Sequence, residues 1–143
     1  MNFMIILRGN EKQNTSGNMP SEEMLTEMNK FNEELVNAGV MIGGEGLHPA
    51  SEGVRVTFKD GKATVADGAS PGVLDGFWLL KVKSVEEAID WVKRIPNVDG
   101  EVEIRQAFET EEFSDIISPE AVEQEERLRQ KIADQNAKAA SGR

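Results

Sequence analysis

Residues 76–83, Gly-Phe-Trp-Leu-Leu-Lys-Val-Lys, constrain the fold of this chain more than any other stretch. In a strand, alternate side chains point to opposite faces. Trp78, Leu80 and Val82 therefore share one face, while Phe77, Leu79, Lys81 and Lys83 share the other. Phe3–Leu7 is likewise apolar at every position, so both of its faces are expected to be buried. Two such strands need cover on both sides of the sheet that contains them.

The residues after Lys83 supply part of that cover. Ser84-Val85-Glu86-Glu87 is a capping box, in which the hydroxyl and the carboxylate satisfy reciprocal backbone donors. The helix it opens is expected to bury Val85, Ala88, Ile89, Val92 and Ile95 and to close at Pro96. A second helix is expected from about Ser21 to Ala38, with an apolar stripe of Met24, Met28, Phe31, Leu35 and Ala38. Ser21 is its N-cap, Glu22 and Glu23 occupy its first turn, and Gly39 stops it. Between the first strand and this helix, Glu11–Met19 reads as a loop.

Val40–Leu47 reads as a strand whose glycines, Gly43, Gly44 and Gly46, allow close backbone approach. Gly53–Phe58 and Lys62–Ala66 flank Asp60-Gly61, a tight-hairpin signal. Glu101–Phe108 is the last strand, with Val102 and Ile104 opposed to Glu103 and Arg105. The order is β-α-β-(hairpin)-β-α-β. That is an α+β, ferredoxin-like arrangement with an antiparallel sheet and both helices on one face. Because helices cover one face only, the simplest cover for the second is another copy about a two-fold axis, which predicts a homodimer.

One domain is expected over residues 1–113, followed by a polar helical extension over 114–143. Ser118-Pro119-Glu120 starts that helix. Its surface carries acid-before-base pairs four apart, Glu123–Arg127, Glu125–Arg129 and Asp134–Lys138. Its apolar stripe is thin, so fraying is expected after about Asp134.

Composition excludes several function classes. The net charge of −10 argues against nucleic acid, since gripping phosphates needs clustered Lys and Arg. The excess acid lies in the folded part rather than in the tail. With no cysteine, disulfides, thiolate metal sites and a cysteine nucleophile are all ruled out. One histidine makes a tight transition-metal site improbable, and no dinucleotide or P-loop glycine pattern is present, so no cofactor is expected. No run is long and apolar enough to span a membrane. The start, MNFMIILRGN, lacks the basic lead and cleavage site of a secretory signal, so a cytoplasmic location is expected.

Several phrases together resemble the YCII-related proteins, in their DGPF-domain branch. They are Gly43-Gly44-Glu45-Gly46-Leu47-His48-Pro49, Asp67-Gly68, Gly76-Phe77-Trp78 through Val82 to Arg94, and Glu103-Ile104-Arg105-Gln106 with Phe108 and Glu112-Phe113. The resemblance covers about residues 1–113 and extends to the tail's Pro119-Glu120 and Glu125–Arg129. It implies a dimeric α+β barrel. It implies little chemistry, since most members have no assigned reaction. Relatives in the wider superfamily include lyases and isomerases of small cyclic lactones with a proposed His/Asp dyad, and the DGPF branch is often associated with extracytoplasmic-function sigma factors. The chain departs from the family pattern at Asp67–Asp75, where the usual Asp-Gly-Pro-Phe and its following charged run are replaced by a shorter loop without an aromatic residue.

His48 is the candidate acid/base, following a glycine-rich strand end that matches the family's Leu-His-Pro phrase. Asp67 is its expected orienting carboxylate, although Asp-Gly is also ordinary turn chemistry. Asp75 closes the same loop. Arg105 offers a guanidinium fork for an anionic or cyclic organic substrate, with Glu45 as either a base or its ion-pair partner. Arg8 and Arg55 are further candidates of the same kind, Trp78 and Trp91 read as core, and Ser70 lacks the context of a nucleophile. The sequence supports a small-molecule-binding protein working as a cofactor-independent lyase or isomerase. The competing reading is a non-catalytic ligand-binding or regulatory module. A third, a heme-free oxygenase, borrows only from the fold.

Overall fold

The computed structural model describes residues 1–8, 21–70 and 74–141. The loop expected over Glu11–Met19 and the centre of the Asp67–Asp75 loop lie outside the described residues. The elements are β1 (Asn2–Arg8), α1 (Glu22–Asn37), β2 (Met41–Gly46), a 3₁₀ turn (Ala50–Glu52), β3 (Val54–Lys59), β4 (Lys62–Asp67), β5 (Gly76–Lys81), α2 (Val85–Val92), β6 (Glu101–Gln106), a second 3₁₀ turn (Thr110–Phe113) and α3 (Pro119–Ser141). The chain divides into two compact units, Met1–Ala107 and the segment from Phe108 onward.

In the first unit, a four-stranded antiparallel sheet has the order β2-β5-β1-β6. The two doubly apolar strands, β1 and β5, lie side by side at its centre, with Ile5 opposite Trp78 and Phe3 opposite Leu80. Those four side chains are buried, together with Phe31 and Leu35 of α1, Ala88 of α2, and Val40 and Val82. Burial of each large apolar side chain contributes about 1.5–3 kcal/mol, so this single cluster dominates the stability of the unit. Phe31 meets Trp78 edge to face, with centroids 5.8 Å apart. The indole Nε1 of Trp78 donates to Asn32 Oδ1 at 2.8 Å, giving the buried N–H the partner it needs. On the opposite face, Met4, Ile6, Phe77 and Leu79 are half-buried rather than buried.

Helix ends follow the expected chemistry. Ser21 Oγ accepts from the Met24 N–H at the start of α1. At the other end Gly39 adopts φ +72°, Gly39 N–H donates to Val36 O and Val40 N–H to Leu35 O. These two bonds are the Schellman pair, and they bring Val40 into the core beside Leu35. At α2, Ser84 Oγ accepts from Glu87 N–H, while the Glu87 carboxylate accepts from Lys83 N–H instead of closing the box on Ser84.

The structure corrects several details. In α2 only Ala88 is fully buried; Trp91, Val92 and Ile95 pack beside the core, whereas Val85 and Ile89 are exposed. The packed face thus follows the 88-91-92-95 spacing, a rotation that periodicity alone left open. Met24 and Ala38 are exposed at the ends of the α1 stripe. Strand β6 stops at Gln106, and Phe108 stacks with Phe113 in the second unit, centroids 4.9 Å apart. Helix α3 does not fray at Asp134 but continues to Ser141. Gln130 bonds Asp134 across one turn, and the alanines beyond it are strong helix formers. Ser118 Oγ caps its start, and Glu125 pairs with Arg129 at 3.2 Å.

Strands β3 and β4 form a two-stranded sheet of their own. At its tip Asp60 and Gly61 both have positive φ, +51° and +76°, as a two-residue type I′ connection requires. Strand β2 carries a bulge between Met41 and Gly43, after which Gly44 lies opposite Trp78 and Glu45 opposite Phe77.

Candidate functional site

The clearest concavity lies where β2 ends and the β3–β4 hairpin begins. It is an open pocket of about 500 Å³ lined by His48, Glu52, Arg55, Ser70 and the apolar Leu47, Pro49 and Leu74, among others. Backbone bonds fix its walls. Leu47 N–H donates to Asp75 O, and Asp75 N–H donates in turn to Leu7 O, tying the loop to the end of β1. Pro49 and Ala50 start a 3₁₀ turn, closed by Glu52 N–H to Pro49 O and Gly53 N–H to Ala50 O. From the far side, Gly68 N–H reaches Gly53 O and Ala69 N–H reaches Ala50 O, both at 2.7 Å. Two segments about fifteen to twenty residues apart in sequence are thereby laced together.

The turn sets the side-chain chemistry. His48 and Glu52 lie four residues apart across it, and His48 Nδ1 comes within 3.6 Å of Glu52 Oε2. A carboxylate beside Nδ1 favours the tautomer with its proton there, leaving Nε2 as the basic nitrogen. The His48 side chain is 88% exposed. Arg55, one residue into β3, donates from Nε to Gly68 O at 2.8 Å. That bond orients the guanidinium while leaving its two terminal nitrogens available as donors. Among the described residues no carboxylate pairs with Arg55.

The other residues named from the sequence are distributed around this pocket rather than gathered in it. Asp67 ends β4, opposite Val54, and is not part of the pocket lining. Asp75 contributes the two backbone bonds above and also engages through a further interaction. Glu45 shares the sheet face of Phe77, and Arg105 sits on the edge strand β6 opposite Met4. Both are exposed. Glu103 pairs not with Arg105 but with Arg8, whose Nε is 3.5 Å from Glu103 Oε2 and whose Nη1 is 3.4 Å from Glu101 Oε1.

Glu52 is the member of the pocket that sequence reasoning missed. The available signal was its position four residues after the single histidine, but Pro49 disguised the turn that makes that spacing meaningful. Ser70 belongs to the wall without a base beside it in the pocket's ion pairs. Among the described residues no group of carboxylates and histidine could hold a metal ion, and no helix is long and apolar enough to cross a membrane.

Comparison with known proteins gives a family. The YCII-related domain matches residues 1–111. A search of the curated proteins finds no match. Among solved structures, the chain is similar to 5-chloro-2-hydroxyhydroquinone dehydrochlorinase (TftG) from Burkholderia phenoliruptrix AC1100, in complex with 2,5-dihydroxybenzoquinone. The identity is 13%, the TM-score 0.47, and the alignment covers 76% of this chain and 94% of that one.

Proposed function

We infer that the chain, which belongs to the YCII-related family on that match, binds a small anionic or cyclic organic ligand in the His48–Arg55 pocket. The observation that carries this reading is Arg55: its guanidinium is held by Gly68 O at the pocket wall and faces no carboxylate among the described residues. A cation fixed in this way, beside apolar Leu47, Pro49 and Leu74, suits a carboxylate or polarised carbonyl on a small carbon skeleton.

The same arrangement supports proton transfer by a cofactor-independent lyase or isomerase. Glu52 takes the orienting role first given to Asp67, and His48 Nε2 removes a proton from the carbon next to the ligand's carbonyl. Arg55 holds the negative charge that develops on the carbonyl oxygen, a role also open to Arg105 if a second subunit brings it near. Asp67, Asp75 and Glu45 then shape the approach. The high exposure of His48 favours the alternative, ligand binding without turnover, because a general base acts best where water is excluded. We further infer a homodimer, supported by the half-buried Met4, Ile6, Phe77 and Leu79 on the sheet face away from α1 and α2.

A thermal-shift screen of small carboxylates and lactones tests the binding reading, because a ligand that binds only the folded chain raises the midpoint by mass action. The expected result is a shift that Arg55→Gln abolishes, measured against that variant's own unliganded midpoint, which loss of the bond to Gly68 O lowers slightly. An equal shift in the variant removes Arg55 from the site. Turnover is separated from binding by following hydrogen–deuterium exchange beside the ligand's carbonyl by NMR. Exchange that persists in His48→Gln rules out His48 as the base.

A further inference from the structure

The β3–β4 hairpin has two faces of opposite character. Val54, Val56 and Phe58 on β3 share a face with Ala63, Val65 and, at the open end, Asp67 on β4, because the register sets Val54 opposite Asp67, Val56 opposite Val65 and Phe58 opposite Ala63. The other face carries Arg55, Thr57 and Lys59 opposite Ala66, Thr64 and Lys62. No described residue covers the apolar face: Val54 is 60% exposed, Val56 49%, Phe58 78% and Val65 67%. An isolated two-stranded hairpin is at best marginally stable in water, and an exposed apolar strand face is a liability for a soluble chain.

We propose that this hairpin is a dimerisation arm that lays its apolar face across the β2-β5-β1-β6 sheet of a second copy, over Met4, Ile6, Phe77 and Leu79. The proposal rests on the homodimer reading above and specifies what holds that dimer together. Two observations select a second copy as the occupant. The first is size. Each hairpin strand has six residues and so reaches about 20 Å, while a four-stranded sheet is about 19 Å wide at its mean strand spacing. The arm therefore crosses the sheet from edge to edge. The second is charge. The hairpin carries Arg55, Lys59 and Lys62 against Asp60 and Asp67, whereas the chain as a whole has a net charge of −10. The arm's excess positive charge is complementary to the acidic body of another copy and offsets part of the repulsion between two bodies of like charge. Lys59 and Lys62 flank the tip, where their long stems reach past the arm's edge toward Glu45, exposed on the outer strand of the sheet. A two-fold axis makes the exchange reciprocal, so both apolar faces of both copies are covered at once.

The chain contains no cysteine, which makes the test direct. Phe58→Cys and Phe77→Cys are prepared separately, mixed and oxidised. The expected result is a disulfide-linked pair in the mixture that neither single variant forms at comparable yield. In parallel, light scattering follows the doubly substituted Phe58→Ser, Val65→Thr chain, whose far-UV spectrum confirms that the exposed changes leave the fold intact. Its dimer dissociation constant is expected to rise by about 100-fold or more. Cross-linking of Phe58→Cys to itself alone means that the hairpins stack on each other and overturns the proposed docking. A dimer unaffected by the double substitution, with no mixed cross-link, overturns the arm but leaves the homodimer reading standing. A wild-type monomer at high concentration overturns both.

Discussion

Gly44→Ala isolates one contact in the sheet. Gly44 lies on the core face of β2, opposite Trp78. A Cβ added there would come within 2.7 Å of the Phe77 carbonyl oxygen, 3.2 Å of Trp78 Cδ1 and 3.3 Å of Trp78 Cα. The first and third of these are backbone atoms of a paired strand, held in place by the β2–β5 ladder, so neither can rotate away as a side chain would. Relief requires β2 to draw back by roughly half an ångström, which lengthens the neighbouring ladder bonds, each worth about 0.5–1.5 kcal/mol. Together with displacement of the indole, overpacking of this kind costs about 1–3 kcal/mol. For a chain of this size the thermal midpoint falls by roughly 3–12 °C. Gly43 and Gly46 provide internal controls, since a Cβ at either meets nothing within 4 Å. Gly43→Ala is expected to be neutral or to stabilise by up to about 1 kcal/mol through lower entropy of the unfolded chain. Urea titrations of the three variants measure the differences. A Gly44→Ala chain as stable as Gly43→Ala would refute the reasoning.

Two further substitutions probe the core's polar edge and a helix start. Asn32→Ala removes the acceptor of the Trp78 indole and is expected to cost about 1–3 kcal/mol, with the cost much reduced in a Trp78→Phe background, where no N–H is left unpaired. Additive effects in that cycle, read by denaturant unfolding, would show that the bond does not contribute. Ser84→Ala removes the hydroxyl that accepts from Glu87 N–H and is expected to cost about 1 kcal/mol, with the loss of amide-exchange protection concentrated in the first turn of α2. Protection unchanged at Glu87 would indicate that water replaces the cap without loss.

The legible parts of the sequence were those in which one local rule decides. Asp60-Gly61 specifies a type I′ turn through two positive φ angles, and Ser21, Gly39 and Ser84 each mark a helix end through a hydrogen bond to a near neighbour. Alternation alone separated Trp78 and Leu80 from Phe77 and Leu79. What could not be read depended on tertiary choice. The rotation of α2 that exposes Val85 and Ile89 is set by how Ala88 fits against the sheet, and Phe108 leaves β6 for a stack with Phe113. The pocket is the extreme case. Its walls join residues 50–53 to 68–69 by backbone bonds, which any residue types can make, so no side-chain pattern announces them. Hence His48 was identifiable as chemistry, whereas Glu52 as its neighbour was not.

The bulge in β2 bears on how this chain tolerates changes in length. Between Met41 and Gly43 the strand spends one extra residue, and every side chain after it changes sides. With the bulge, side-chain-free Gly44 meets Trp78 and Glu45 faces outward; without it, an uninterrupted register would aim Glu45 at the buried cluster. A one-residue deletion at Ile42 or Gly43 would therefore remove the bulge and keep Gly44 opposite Trp78 and Glu45 facing outward, whereas a one-residue insertion there would reverse the parity and demand burial of a carboxylate. A two-residue deletion there would set Glu45 opposite Trp78, on the core face, whereas an insertion at the Asp60–Gly61 tip disturbs no buried neighbour. Changes in length should thus be confined in β2 to loss of the single bulge residue and run freely at the hairpin tip.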